Sequence, residues 1–458
     1  MVMSNALGTP ATLPENWAQM TPAEKRKYRL DRYLSAEGIK FVNEEAKKAY
    51  KIRAQRIVDV YNVREPDRVP VSLPVGSLPF DLAGINAHTA MYDLEKAIRA
   101  CMKFNEKYSA ELEYFASPMS FPGNVMDMLD YKIYAWPGRG IPESAPGFQF
   151  IEGEYMKPEE YDDLIRDPSD FWLRTYLPRV FGVFEAFKMF QPLTAITENV
   201  HIPHFMPLAL PRVQESLQKL IDVGKEYQRL AKIAMPFMGM GVAHGFPVVP
   251  SAFAKAPFDT LGDTLRGTKG IIQDMFRRPD KLLKALDVIA DLSINEVLKS
   301  PSFGRLVIVH YPLHKGADGW MSEKQFDTFY WPSLKKMMDT FIKEGLIQSH
   351  FAEGSYNTRL EKVNGFEKGT VNWYFDRTDM FKAKKILGAN CCIMGNVPAS
   401  LVLTGSPEDV KEYCRKLIVE CGKGGGFILA AGTVGTGPKI ENLRAMMEAV
   451  REYGVYKK

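Results

Sequence analysis

From Arg305 onward the chain settles into a regular alternation. Short apolar runs stand at 305–310, 346–351, 370–375, 391–395 and 426–431, and amphipathic stretches of helical character separate at least the longer-spaced of them. Runs of five or six apolar residues bounded by turn residues predict buried strands. Ser322 to Gln325 and Ser406-Pro407-Glu408-Asp409 carry the capping chemistry of helix starts. Five strand–helix alternations predict a parallel sheet with helices outside it. A chain of 458 residues is long enough to close that sheet into a TIM-type (β/α)₈ barrel with inserted loops.

The N-terminal part reads differently. The first twenty residues lack periodicity and are expected to be a loose arm. Thr21-Pro22-Ala23-Glu24 is a helix start with Thr at the N-cap, Pro in the first turn and Glu reaching back. The following Lys25, Arg26, Lys27, Arg29 and Arg32 read as a solvated helix face. A second helix is expected over 43–61, and a first buried strand over 69–75. Residues 1–60 thus form a helical extension and 61–458 the barrel. Residues 111–211 are irregular and aromatic, which predicts inserted loops and short helices. Residues 266–298 are helical, with Met275, Leu282, Leu286 and Ile289 on one face.

Composition narrows the picture. Apolar content of 46% and charged content of 25% are those of a globular chain. A net charge of +4 without a long basic run disfavours nucleic acid as a partner. Five cysteines form no C-x-x-C pair, and no basic n-region precedes Lys25, so a reducing, cytoplasmic setting is expected. Residues 235–254 contain no Asp, Glu, Lys or Arg, yet Pro236, Pro247, Pro250, Gly239, Gly241 and Gly245 would break a spanning helix. They are expected to be buried strand and loop.

In such a barrel, chemistry sits just beyond the C-terminal ends of the strands. After the first run come His310, Tyr311, His314, Lys315 and Asp318. The second ends in His350, with Glu353 and Arg359 behind it; Asp376 follows the third run and Asn396 the fourth. His314, Asp318 and Asp376 are candidates for proton transfer. His350 and Glu353, with His310, are candidate metal ligands, since imidazole nitrogen and carboxylate oxygen both bind zinc. Arg359 is a candidate clamp for a substrate carboxylate. Trp320 and Trp373, with Phe351, Tyr374 and Phe375, are candidates to line a flat pocket. The glycines between Gly422 and Gly437 fit no phosphate-binding pattern.

Arg64-Glu-Pro-Asp-Arg-Val-Pro-Val, Gly388-Ala-Asn-Cys-Cys-Ile-Met-Gly-Asn-Val-Pro and Gly424-Gly-Gly-Phe-Ile-Leu-Ala-Ala-Gly with Lys439-Ile-Glu-Asn-Leu-Arg-Ala-Met-Met-Glu-Ala-Val carry a resemblance. On these segments the chain resembles the uroporphyrinogen decarboxylase superfamily, and in particular its corrinoid-dependent methyltransferase branch. The resemblance implies a (β/α)₈ barrel. The decarboxylases carry an Arg-Gln-Ala-Gly-Arg type segment after the first strand. Here that stretch is Ser72-Leu-Pro-Val-Gly-Ser-Leu-Pro-Phe, which offers no cationic clamp for a porphyrinogen. The thiol-methylating members hold zinc through His-x-Cys and a later Cys. His350 matches the His, while Ala352 and Thr433 stand where the thiolates would be.

The resemblance implies a component that takes a methyl group from a methoxylated aromatic or related small donor. The acceptor is then the cobalt of a corrinoid carried by a separate corrinoid-binding protein. Any catalytic metal, zinc being the candidate, is expected to be weakly held through His350, Glu353 and His310 or His314. A homodimer stays open. A decarboxylase of a small acid, using Arg359 and Asp376, and a non-catalytic tetrapyrrole- or corrinoid-binding protein are the alternatives.

Overall fold

The computed structural model describes residues 12–118, 120–432 and 437–457. Seven strands form one parallel sheet curled into a TIM-type barrel. They are β1 (Val71–Ser72), β2 (Ser251–Phe253), β3 (Ile308–Leu313), β4 (Ile347–Ala352), β5 (Val371–Phe375), β6 (Cys392–Val397) and β7 (Phe427–Ala431). The order is β1-β7-β6-β5-β4-β3-β2. Successive strands from β2 to β7 are neighbours, and β1 closes the far side against β7. The expected strand over 69–75 shrinks to two paired residues because Pro70 and Pro74, which lack an N–H, bracket it.

The position between β1 and β2, where an eighth strand would stand, is taken by residues 113–117. These lie outside any strand ladder. Tyr114, Phe115 and Ser117 share a cavity with Val71 on one side and Pro247 and Val248 on the other. The Asn105 side chain takes over the role of a neighbouring strand for Ala116: its amide donates to the Ala116 carbonyl at 2.9 Å and its oxygen accepts the Ala116 N–H at 2.7 Å. Both groups are buried, so leaving them unpaired would cost about 1–3 kcal/mol each.

Alternation along the strands divides two cores. Val309, Leu313, Ala352, Trp373, Phe375 and Leu429 pack outward against the helices. The major helices are α1 (Pro22–Ser35), α2 (Glu44–Tyr61), α3 (Leu94–Leu112), α4 (Pro211–Ala243), α5 (Gly267–Arg277), α6 (Pro279–Leu298), α7 (Trp331–Lys343), α8 (Met380–Leu387), α9 (Pro407–Cys421) and α10 (Ile440–Tyr453). The single helix expected over 266–298 is divided at Pro279, which opens α6. The stretch 235–254 is helical as far as Ala243 before it becomes loop and β2. Packing of Phe237, Gly241 and Val242 holds α4 helical through Pro236.

Capping follows the sequence. Thr21 accepts the Glu24 N–H at 3.3 Å while Glu24 accepts the Thr21 N–H at 2.7 Å. Ser322 and Gln325 repeat that exchange, and Ser406 accepts from Asp409. The cationic face of α1 is not solvated throughout. Lys25 reaches Glu344 at 2.9 Å, and buried Arg29 donates to the carbonyls of Glu344, Phe303 and Leu306. These bonds hold α1 beneath the barrel. Tyr50, Ala54, Val58 and Tyr61 of α2 then meet Ile308, Ile347, Cys392 and Ile428 and plug its N-terminal end.

Candidate active site

Six-residue β3 runs three residues past the expected end at His310. His310 is therefore in mid-strand, facing the interior, and the first residue beyond the strand is His314. The interior above the α2 plug is a cavity of about 610 Å³. Tyr114, Phe253, His310, Phe351, Tyr374 and Met394 are among the residues that line it, and no Lys, Arg, Asp or Glu is. Phe351 and Tyr374 lie 4.5 Å apart between ring centres, tilted at 38° to each other. Burial holds His310 below its ordinary pKa, although its ring is open to the cavity. Two residues further along each strand, roughly 6.6 Å on, Glu353 and Asp376 follow Phe351 and Tyr374 at the rim.

A charged cluster completes the rim above β2 and β3. The chain after β2 turns at Pro257 and continues through a wide helical turn over Thr260–Leu265. This sets Asp259 and Asp263 four residues apart on one side. Asp263 sits 2.6 Å from His314 Nδ1, 2.6 Å from Lys255 Nζ and 2.7 Å from Lys315 Nζ. Burial alone would raise its pKa, but the His314 hydrogen bond and the lysines hold it far below the carboxylate range. Asp259 is fully buried and accepts from the backbone N–H groups of His314 and Lys315 and from the Tyr330 hydroxyl at 2.8 Å. Burial and the Asp263 charge push it up. Gly262 makes room for this cluster, since a Cβ there would stand 2.7 Å from Lys315 Cε.

His314 is thereby oriented. With Nδ1 committed to Asp263, Nε2 faces Glu353 Oε1 at 3.9 Å. Burial opposes its proton, but the bond to Asp263 and the surrounding carboxylates win and raise its pKa. Glu353 is also raised. Burial is the main cause; His314 works against it, and the charges of Asp259, Asp376 and Asp263 add to it. Both groups are thereby biased toward their protonated forms, the direction that proton donation calls for. Asp376 accepts the Gly354 N–H at 3.2 Å, and its Oδ1 lies 2.5 Å from where a Gly432 Cβ would stand.

The remaining sequence candidates lie elsewhere. His350 pairs in register with Tyr311 and Trp373. Its ring is sandwiched between theirs at 4.6 and 4.4 Å, fully buried on the helix side of the sheet. Neither ring nitrogen has a hydrogen-bond partner. Burial drives its pKa down to about 3. Trp373 shares that layer and lines no cavity. The strand alternation explains both placements. Positions facing the interior on β4 are 349, 351 and 353, so a His-x-Cys pattern projected inward falls on Phe351 and Glu353 rather than on His350 and Ala352.

Arg359 is 2% exposed, donates to the Met321 carbonyl at 2.6 Å and stacks on Phe326. It is held inside the loop after β4 and clamps no substrate. Asp318 ties that loop down through Ser355 and Thr358 at 2.8 Å each. Trp320 packs edge-on against Phe258, with Lys315 Nζ 5.6 Å from its ring centre. Among the described residues no three His, Cys, Asp or Glu side chains converge as a metal site. The donor set expected for zinc is thus not assembled by them: His310, His350 and Glu353 point to three different environments. Thr433 and Gly435 lie outside the described residues.

Sequence reasoning missed Asp259, Asp263 and Lys255. Their signal was a three-residue strand followed within ten residues by two acids spaced i, i+4, inside and just after a segment that imitated a membrane span. No helix among the described residues is long and apolar enough to cross a membrane.

Residues 241–453 match the family model described as uroporphyrinogen decarboxylase (URO-D). That span covers β2 to β7 and the rim residues, so the similarity to this superfamily read from the sequence holds there. A methyltransferase from Methanosarcina mazei is similar in structure, with a TM-score of 0.53 at 14% identity over 87% of this chain and 98% of that one. At that identity the likeness shows a common fold. No curated protein matches the chain.

Proposed function

We propose that this protein is the donor-side component of a corrinoid-dependent methyl transfer. It holds a small methylated donor, of the methoxylated aromatic class, and releases the methyl group to the cobalt of a separate corrinoid protein docked at the barrel mouth. The observation that carries this reading is the Glu353–His314–Asp263 relay standing at the rim of an aromatic, charge-free cavity. The fold shared with a methyltransferase supports it.

The chemistry follows from the leaving group. When the methyl carbon departs, the carbon–oxygen bonding pair returns to oxygen, and an aryloxide leaves slowly unless it is protonated as the bond breaks. Glu353, whose protonated form its buried surroundings favour, gives that proton and becomes a carboxylate. His314, protonated and fixed by Asp263, then returns a proton to Glu353. Phe351 and Tyr374 hold a flat ring in the cavity below. The nucleophile belongs to the partner, so no Ser, Cys or Lys of this chain need attack.

Porphyrinogen decarboxylation is disfavoured by the same cavity. A substrate with many carboxylates would find no cation along its lining. A small-acid decarboxylase built on Arg359 loses its clamp, because that guanidinium is buried inside a loop with one arm bonded to the Met321 carbonyl. Incubating the protein with a methoxylated benzene and a reduced corrinoid protein should release the phenol and methylate the corrinoid in equal amounts. Carbon dioxide release without phenol would select the decarboxylase instead.

A further inference from the structure

At the end of the sheet opposite the Glu353–His314 rim, a cavity of about 230 Å³ lies between the last turn of α1 and the residues that lead into β2 and β3. Arg29, Arg32 and Arg305 all line it, with Tyr33 beside them. Among the described residues Glu37 is the only acid in the lining, and it is exposed. Other cations of α1 find carboxylates, Lys25 on Glu344, Arg26 on Glu367 and Lys27 on Asp31, whereas Arg32 forms no ion pair among the described residues. Burial lowers the pKa of Arg305, and the charge of Arg32 lowers it further, so the two guanidiniums stand close enough to repel.

Two of these residues also carry polar atoms without partners. Arg29, 2% exposed, is fixed through Nε and Nη1 on the carbonyls of Glu344, Phe303 and Leu306, and it lies over the rings of Trp17 and Phe303 at 4.8 and 4.7 Å. Its Nη2 has no partner. Tyr33 is 6% exposed, and its hydroxyl has none either. Burial lowers Arg29 to about 10 and raises Tyr33, so at neutral pH Arg29 keeps its charge and Tyr33 its proton. Buried donors are almost always paired, so two unpaired ones on a cationic cavity point to a ligand oxygen as their partner.

We propose that this cavity binds a phosphate group, as inorganic phosphate or as a small phosphomonoester. Charge selects an anion. Shape selects phosphate over carboxylate. The two oxygens of a carboxylate lie in one plane and suit one guanidinium fork, whereas phosphate oxygens point in tetrahedral directions and serve several donors at once. Volume leaves room for a phosphate and a few carbon atoms but not for a nucleotide, since drug-sized ligands fill pockets of about 300 Å³ or more. The C-terminal end of α1 opposes an anion with about half a negative charge, which three full positive charges outweigh. A phosphate held here ties Arg32 and Tyr33 of α1 to Arg305 at the entry to β3, and so secures the helical extension on the barrel floor.

The test uses the full chain. Titration calorimetry with inorganic phosphate, at an ionic strength held constant with chloride, should show one site with a dissociation constant below about 1 mM. Glycerol 3-phosphate distinguishes the two sources: tighter binding assigns the ester, weaker binding the free anion. Phosphate should also raise the urea midpoint, as a ligand of the folded state does. Arg32→Gln should weaken binding by ~10-fold or more, the worth of a charge-assisted hydrogen bond. Tyr33→Phe should weaken it by ~5-fold, yet leave the urea midpoint in chloride no lower than that of the wild type, because nothing in the chain uses the hydroxyl. Absence of saturable phosphate binding overturns the proposal. Binding that survives both substitutions unchanged overturns it too, since the phosphate then sits elsewhere. So does a Tyr33→Phe chain that unfolds earlier in chloride, because its hydroxyl was then already partnered.

Discussion

Replacing His350 with phenylalanine separates a buried ring from a ligand. The imidazole is fully enclosed between Tyr311 and Trp373, both nitrogens lack partners, and its pKa lies at about 3 against 6.5 for a free histidine. The folded chain therefore keeps this ring neutral while the unfolded chain protonates it. Stability tied to this group is fully present above pH 6.5 and drains away as pH falls toward 3. Two pH units below 6.5, at about pH 4.5, the loss is about 2.7 kcal/mol at 1.36 kcal/mol per unit. Phenylalanine has no such term. At neutral pH the two proteins should be nearly equal, because removing the orphaned nitrogens gains about 1–3 kcal/mol and the bulkier ring costs a similar amount. At pH 4.5 the variant should be the more stable by about 2–3 kcal/mol. Urea unfolding of both proteins at the two pH values, followed by circular dichroism, reads this as a widening gap between midpoints. A gap that does not change with pH would refute the burial argument. A stoichiometric metal lost from the variant together with methyl transfer would refute the placement of His350 outside the site.

Three further outcomes are expected. Glu353→Gln should lower kcat for a methoxylated aromatic by about 10²–10⁴-fold with little change in KM, and donors with a more acidic phenol should recover much of the loss; an unchanged kcat removes Glu353 as the acid. Asp263→Asn takes away the interaction that raises His314, so the alkaline limb of the pH–rate profile should move to lower pH. The same change leaves Lys255 and Lys315 without their shared carboxylate, which should lower stability by about 3–5 kcal/mol in thermal and urea unfolding. Asn105→Leu should cost about 2–4 kcal/mol by stranding both polar groups of Ala116, and near-neutral unfolding data would show that the gap in the sheet needs no such support.

Much of the fold was legible because strands buried on both sides announce themselves as short apolar runs. Those after Arg305 are found close to where the periodicity puts them. The ends were less legible, and the site depends on the ends. Tyr311-Pro312 interrupts an apolar run in sequence without interrupting β3, which moved His310 from the rim to the interior. On β4 a shift of one residue decides which face a side chain takes, so His350 and Glu353, three positions apart, lie on opposite sides of the sheet. Asp259 and Asp263 offered only the i, i+4 spacing of two acids after a short strand, which an ordinary solvated turn also shows, since their meaning comes from His314 some fifty residues later. The buried arginines show the same limit: Arg29 and Arg359 have the sequence of surface cations, and only tertiary contacts reveal carbonyls waiting for them.

Pairing of β1 with β7 has a consequence for the order in which this chain folds. From β2 to β7 each strand meets the next in sequence, so every closure there is short in sequence and can proceed as a local, growing unit. The contact of Val71 with Leu429 instead joins points more than three hundred residues apart, a loop whose closure is entropically the slowest step to reward. The C-terminal half should therefore curl first and leave the barrel floor open. The N-terminal helices then arrive last, bringing β1 to the waiting edge of β7 and the plug to the exposed ring of Ile308, Ile347 and Ile428. On a ribosome that sequence runs against the direction of synthesis: β1 and the helices before it are made ahead of β2 to β7 yet find their place after them, and until they do, the apolar interior of the barrel stays open.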